Sequence, residues 1–149
     1  MVTGVDLIAE QIAIANGEGL RFSQDDIVIN GPAVECRINA EDPARDFMPS
    51  PGTVSTAHWP QGEGIRVDTH IVDGAKIPPF YDSMVAKVIA HGPDRATAIE
   101  RLRGALRETR IEGISTNINF QAENLADPDF ASGGVDTGFL ARRMARSTQ

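Results

Sequence analysis

GPAVECRINAED, residues 31–42, alternates apolar and polar side chains across its centre. Successive side chains on a β-strand point to opposite faces, so Val34, Cys36 and Ile38 fall on one face and Glu35, Arg37 and Asn39 on the other. The stretch therefore reads as an amphipathic strand that gives three residues to a core. Same-face neighbours along a strand stand about 7 Å apart, so the polar row is close enough for its long side chains to converge on one ligand. The ordinary alternative is a surface pairing of Glu35 with Arg37, worth about 0–1 kcal/mol.

Upstream, Thr3 followed by Asp6 resembles a capping box. Val5, Ile8, Ile12 and Ala15 then share one helical face as far as Gly17, which predicts a helix over residues 4–16. After a Gly- and Asp-rich connection, Ile27 to Asn30 already alternate, with a hairpin or sharp bend expected at Asn30-Gly31-Pro32. Downstream, DPARDFMPSPGTV is dense in turn formers, with a tight turn at Ser50-Pro51-Gly52. Strands are predicted over residues 64–70 and 83–90, with Pro78-Pro79 as a break between them and a further short strand over 53–58. From Pro93 the period changes. Asp94 caps a helix whose Ile99, Leu102 and Leu106 form an apolar stripe; Arg95, Arg101, Arg103 and Arg107 read as a solvated face paired with Glu100 and Glu108. A second helix is expected from Thr116-Asn117, with Ile118, Ala122 and Leu125 inward, stopping before Pro128, and a last one over 138–146. Strands and helices mixed without regular alternation predict an α+β fold, a mainly antiparallel sheet flanked by helices, over one domain of residues 1–149.

Composition narrows the function classes. A chain of 149 residues, 41% hydrophobic and 23% charged, has the makeup of a folded globular unit, and no stretch approaches 18 uninterrupted apolar residues. The first residues, MVTGVDLIAEQ, lack the basic and apolar regions of a secretory signal. The single Cys36 fits a reducing compartment, so the cytoplasm is the expected location and no membrane partner is expected. Fourteen Lys and Arg against twenty-one Asp and Glu give a net charge of −7, which argues against a nucleic-acid partner even with an arginine-rich helix.

Among chemistry-bearing residues, Asp82 in Tyr81-Asp82-Ser83 follows the rigid prolines. It reads either as a carboxylate at a sheet rim or as a turn cap. Lys87 inside MVAKVIA reads as an edge-protecting lysine. His58, His70 and His91 lack the close spacing of a zinc site, and no metal site is expected. No GxSxG elbow or glycine-rich phosphate loop is present, so the chain by itself shows no motif for ATP phosphates or covalent catalysis.

Three segments then carry a resemblance: TGVDLIAEQIAIANG (3–17), VECRINAEDPARDFMPSPGTV (34–54) and IPPFYDSMVAKVIAHG (77–92). In that order and at those separations they resemble the C-terminal domain of biotin carboxylase, and the similarity continues through EGISTNINFQ (112–121) to about Phe139. The resemblance implies a fold of the barrel-sandwich or rudiment single hybrid type. It also implies a role in an ATP-dependent ligase that activates bicarbonate as carboxyphosphate and carboxylates biotin on a biotin carboxyl carrier protein. The ATP-grasp region, which would bind ATP and Mg2+ or Mn2+, would precede Met1, so no cofactor is expected on this chain alone and it is expected to be inactive in isolation. Implied partners are the carrier protein, a carboxyltransferase, the ATP-grasp domain of the same parent chain and a second copy in a homodimer.

Arg37 matches the family's arginine that holds biotin at the ureido oxygen, with Glu35 and Asn39 as candidates to orient it and Asp82 in a supporting role. Arg66 falls at the homodimer contact, although Glu63 stands where a bulky apolar residue is expected. Glu-Cys-Arg-Ile-Asn-Ala-Glu-Asp looks most like the acetyl-CoA carboxylase type and hence fatty-acid synthesis. The competing reading is a freestanding non-catalytic interaction module of a carboxylase complex.

Overall fold

The computed structural model describes residues 1–147 of the chain. In chain order it has α1 (Leu7–Ala15), β1 (Ala33–Asn39), β2 (Glu41–Asp42), β3 (Met48–Pro49), β4 (Gly52–Thr53), β5 (Thr56–His58), β6 (Ile65–Thr69), β7 (Lys76–Ile77) and β8 (Met84–His91). There follow α2 (Arg95–Glu108), β9 (Arg110–Glu112), α3 (Ile118–Ala126), α4 (Pro128–Ser132) and α5 (Phe139–Ser147). Mixed helix and antiparallel sheet is the architecture expected from the sequence. The largest sheet has the order β1-β8-β6, and three two-stranded ladders pair β2 with β3, β4 with β7 and β5 with β9. These strands form open sheets, and among the described residues they close into no barrel.

The alternation in β1 does what its period requires. Cys36 faces Val88 and Ile38 faces Ala86 across the ladder, and Val67 faces Val88 from the other side; Cys36, Ile38, Ala86 and Val88 are all buried. Against this face lies α2, started by Asp94, whose carboxylate accepts from the Thr97 N–H at 2.8 Å. It buries Ala98, Ile99, Leu102, Ala105 and Leu106, the apolar stripe read from spacing.

Several expectations are corrected. Helix α1 starts at Leu7, not residue 4, because the Asp6 carboxylate takes the Ala9 N–H at 3.0 Å and so makes Asp6 the cap; Thr3 instead accepts from Val5 N–H. Its apolar residues are not core: Leu7 and Ile8 are 67% and 65% exposed, and only Ala13 is buried. Residues 27–30 form no strand. Gly31, at φ 68°, turns the chain where a Cβ would stand 2.2 Å from the Gly92 carbonyl oxygen, so only glycine fits there. The strand expected over 53–58 is divided at Val54 and Ser55, because β4 and β5 pair with different partners. Lys87 is not on an edge: β8 is the central strand, with Arg37 opposite Lys87 on one side and Asp68 on the other.

The α2 arginines are only partly a solvated face. Arg103 and Arg107 both pair with Glu100, at 3.1 and 3.2 Å, whereas Arg95 donates to the Phe130 and Ala131 carbonyls and Arg101 to Glu63 and the His91 carbonyl. Pairings of this kind in turns and short strands carry no period in sequence, which is why β2, β3, β7, β9 and the five-residue α4 were not foreseen.

Leu102 is fully buried between helix and sheet. Leu102→Ala is expected to lower unfolding stability by about 2–5 kcal/mol in urea titration, whereas Arg103→Ala, on the outer face, is expected to change it by less than about 1 kcal/mol.

Candidate functional site

At the C-terminal end of β1 a cavity of about 420 Å³ opens on the polar side of the strand, lined by Arg37, Asn39, Glu41, Pro78, Asp82 and Ser83 among others. Two local features build it. The alternation of β1 turns Arg37 away from the core, and a register irregularity between Ile38 and Asn39 lets the chain bend into β2. Pro78 and Pro79, each with a fixed φ, then carry the chain stiffly out of β7 to Phe80 and Tyr81, which are 87% and 82% exposed. The return into β8 is set by Asp82, whose carboxylate accepts from the Met84 N–H at 2.7 Å. Asp82 is thus a turn cap and a cavity-lining carboxylate together.

Glu41 fastens that loop to the sheet. One of its carboxylate oxygens accepts from the Ser83 hydroxyl at 2.5 Å and from the Asn39 amide at 3.2 Å, while the Ala40 N–H donates to the Ser83 carbonyl at 2.7 Å. The other end of the Asn39 amide, Oδ1, is buried and has no hydrogen-bond partner among the described residues.

Arg37 is held by its backbone, from across the fold. Asn117, 4% exposed, immediately precedes α3, where such a residue ordinarily caps the helix; here its side chain turns to β1 instead. Its Oδ1 accepts from the Asn39 N–H at 2.9 Å, its Nδ2 donates to the Arg37 carbonyl at 3.2 Å, and its own N–H donates to the Asn39 carbonyl at 3.2 Å. Gln121, one turn on, adds a longer contact to the Arg37 carbonyl at 3.4 Å. The guanidinium, by contrast, makes no hydrogen bond or ion pair among the described residues and lines the cavity, with Lys87 directly opposite across the ladder. Like charges facing each other across a ladder are unfavourable by themselves. Lys87 lines a separate cavity with Asp68 and His70, so the positive group beside the Glu41 and Asp82 carboxylates is Arg37, an arrangement able to receive an oxygen that carries partial negative charge.

Arg37, Asn39 and Asp82 are therefore brought together. Glu35 is not: it lines a different cavity with Gln121. Arg66 lies on β6, paired with Asp68 at 2.8 Å, and Glu63 pairs with Arg101 at 2.7 Å. On the core side of β1, burial first and the Glu35 charge second push the Cys36 thiol up to about 12, so it stands as a neutral thiol and not as a nucleophile. Among the described residues, no group of three or more His, Cys, Asp or Glu is arranged to hold a metal ion, and no helix is long and apolar enough to cross a membrane. Glu41, Ser83, Asn117 and Gln121 were missed in the sequence. Continuing the alternation two residues beyond Asn39 points to Glu41, but nothing local flags Asn117, 78 residues from its partner.

The chain matches the family model of the biotin carboxylase C-terminal domain over residues 35–142. It is 53% identical over 140 residues to a biotin carboxylase of Nostoc sp., covering 94% of this chain and 31% of that protein. Among solved structures it resembles the biotin carboxylase domain of Hydrogenobacter thermophilus 2-oxoglutarate carboxylase, a dimer in complex with MgADP, ADP and bicarbonate. That likeness has a TM-score of 0.93 at 45% identity, over 95% of this chain and 31% of that one. The biotin carboxylase subunit of a pyruvate carboxylase gives a TM-score of 0.94 at 41% identity, over 97% and 32%. The chain thus spans about a third of the length of the relatives it matches.

The clamp on β1 makes its own prediction. Asn117→Ala leaves the Asn39 N–H without its acceptor and is expected to lower stability by about 1–3 kcal/mol, with faster hydrogen exchange at the Asn39 amide than at Cys36. Unchanged exchange at Asn39 would remove Asn117 from the clamp.

Proposed function

The chain belongs to the biotin carboxylase C-terminal domain family, and on that footing we propose that residues 1–149 contribute one wall of the active site of an ATP-dependent biotin carboxylase. The observation that carries the reading is Arg37, whose backbone is held by Asn117 while its guanidinium makes no hydrogen bond or ion pair among the described residues, beside the cavity at the end of β1. Arg37 receives the ureido oxygen of biotin presented on a carrier protein. When N1′ loses its proton, negative charge builds on that oxygen, and a planar guanidinium held in place stabilises it without reorganising. Asn39 and Asp82 shape the same cavity, and Glu41 holds the loop that carries Asp82. ATP, Mg2+ or Mn2+ and bicarbonate bind to the ATP-grasp part of the enzyme. A carboxyltransferase takes the carboxyl group onward, and the reaction belongs in the cytoplasm.

In an enzyme carrying this domain, Arg37→Ala is expected to lower biotin-dependent ATP cleavage about 10²–10³-fold with the fold retained, and Arg37→Lys to restore little, because an ammonium lacks the planar fork. Near-normal turnover of the alanine variant would remove Arg37 from the mechanism. The Glu-Cys-Arg-Ile-Asn-Ala-Glu-Asp motif favours acetyl-CoA as the final acceptor, so the same enzyme with its carboxyltransferase is expected to carboxylate acetyl-CoA and not pyruvate.

We also propose that the enzyme is a homodimer whose contact includes Arg66, as the dimeric state of the Hydrogenobacter thermophilus domain supports. Sedimentation equilibrium is expected to give a dimer and, for Arg66→Glu, a weaker one. A monomer at every concentration would reject this.

A further inference from the structure

Glu41 lines the same cavity as Arg37, yet the two make no ion pair among the described residues. Opposite charges on one cavity wall attract each other, so something holds them apart. The cause is local: one carboxylate oxygen of Glu41, Oε1, accepts both from the Ser83 hydroxyl at 2.5 Å and from the Asn39 amide at 3.2 Å. Two donors on a single oxygen fix how the carboxylate is turned. The other oxygen, Oε2, takes no hydrogen bond or ion pair among the described residues and keeps accessible surface, on a half-buried residue. Asp82, the second carboxylate of this cavity, is exposed and gives an oxygen to the Met84 N–H of its own turn. One cavity of about 420 Å³ therefore presents the free donors of Arg37, a held and uncommitted acceptor on Glu41, and an apolar wall of Pro49, Pro51, Pro78 and Pro79.

We propose that Glu41 Oε2 accepts the N3′–H of the biotin ureido ring while Arg37 donates to the ureido oxygen. This contact rests on the reading that the Arg37 cavity receives biotin. A cyclic urea carries one acceptor oxygen flanked by two N–H donors, and the fused sulfur ring is apolar; donor, acceptor and proline wall match these three parts in turn. With N3′–H engaged, the ring cannot turn over, and N1′ is the nitrogen left free to lose its proton and take the carboxyl group. Glu41 itself takes no proton. A half-buried carboxylate makes a stronger hydrogen bond than one in open water, so the contact favours binding. It does not favour the negative charge that builds on the ureido oxygen, so the effect of Glu41 falls on KM for biotin and not on turnover.

The test uses an enzyme carrying this domain, with free biotin and N3′-methylbiotin as the two substrates. Glu41→Gln keeps an oxygen for Ser83 and Asn39, and so keeps the loop, but turns an amide N–H toward the cavity, donor against donor. It is expected to raise KM for biotin about 10–100-fold, with the loss in KM rather than in kcat. The unaltered enzyme is expected to prefer biotin to N3′-methylbiotin by a similar factor, and Glu41→Ala to erase most of that preference. Biotin KM unchanged in Glu41→Gln would overturn the contact, whatever happens to kcat, because a loop-holding role alone predicts that result. A preference for biotin that survives Glu41→Ala would overturn it too. Near-normal turnover of Arg37→Ala removes the biotin reading itself; an impaired Arg37→Ala beside an unimpaired Glu41→Gln removes the Glu41 contact alone.

Discussion

The register of β1 against β8 is the constraint on which the rest of this structure depends. With Cys36 opposite Val88 and Ile38 opposite Ala86, three strands and α2 close over one apolar layer, and Arg37 opposite Lys87 is delivered to the far side. A slip of one residue exchanges the two faces. It would expose Ile38, forfeiting about 1.5–3 kcal/mol, and drive a guanidinium without a partner into the core, which costs several kcal/mol more. Packing and site geometry are therefore decided by the same hydrogen-bond ladder, and the wish of the core to bury Ile38 is what aims Arg37.

Two devices convert that register into a fixed site. Asn117 matches the strand backbone with both ends of its amide and with its own N–H, so the end of β1 cannot move without breaking contacts to α3. Glu41 gathers Ser83 and Asn39 on one oxygen and so ties the proline-stiffened loop to the strand. In both cases the polar work is done by groups of little or intermediate exposure, where a hydrogen bond is worth more than at the surface and an unmade one costs more. The Arg37 guanidinium makes no hydrogen bond or ion pair among the described residues, in keeping with the ligand-receiving role proposed for it.

Helix α1 obeys a different balance. Asp6 caps it, and Glu10 pairs with Arg21 from the following connection, so its formation is supported locally. Its leucine and isoleucines nevertheless bury little within this chain, and together with exposed Val28 and Ile29 they put apolar surface on the N-terminal segment that the core around α2 does not use. Amphipathic spacing here marks a face fit for association rather than a part of this core.

The sequence by itself determined the elements whose signal repeats within a few residues. The period of two in β1 and the apolar stripe of α2 were legible because each side chain's destiny follows from its neighbours at fixed spacing. Arg37 was legible as a candidate for the same reason, since its polar face is the complement of a buried one, and the family resemblance carried by three segments suggested a role for it. Only the tertiary structure decided that Lys87 sits on a central strand, that Glu35 and Arg37 serve different cavities, that β5 finds β9, and that Asn117 abandons its helix to hold β1. Those outcomes depend on which distant segments meet, and a side chain's hydrogen-bonding capacity is the same whichever partner the fold supplies.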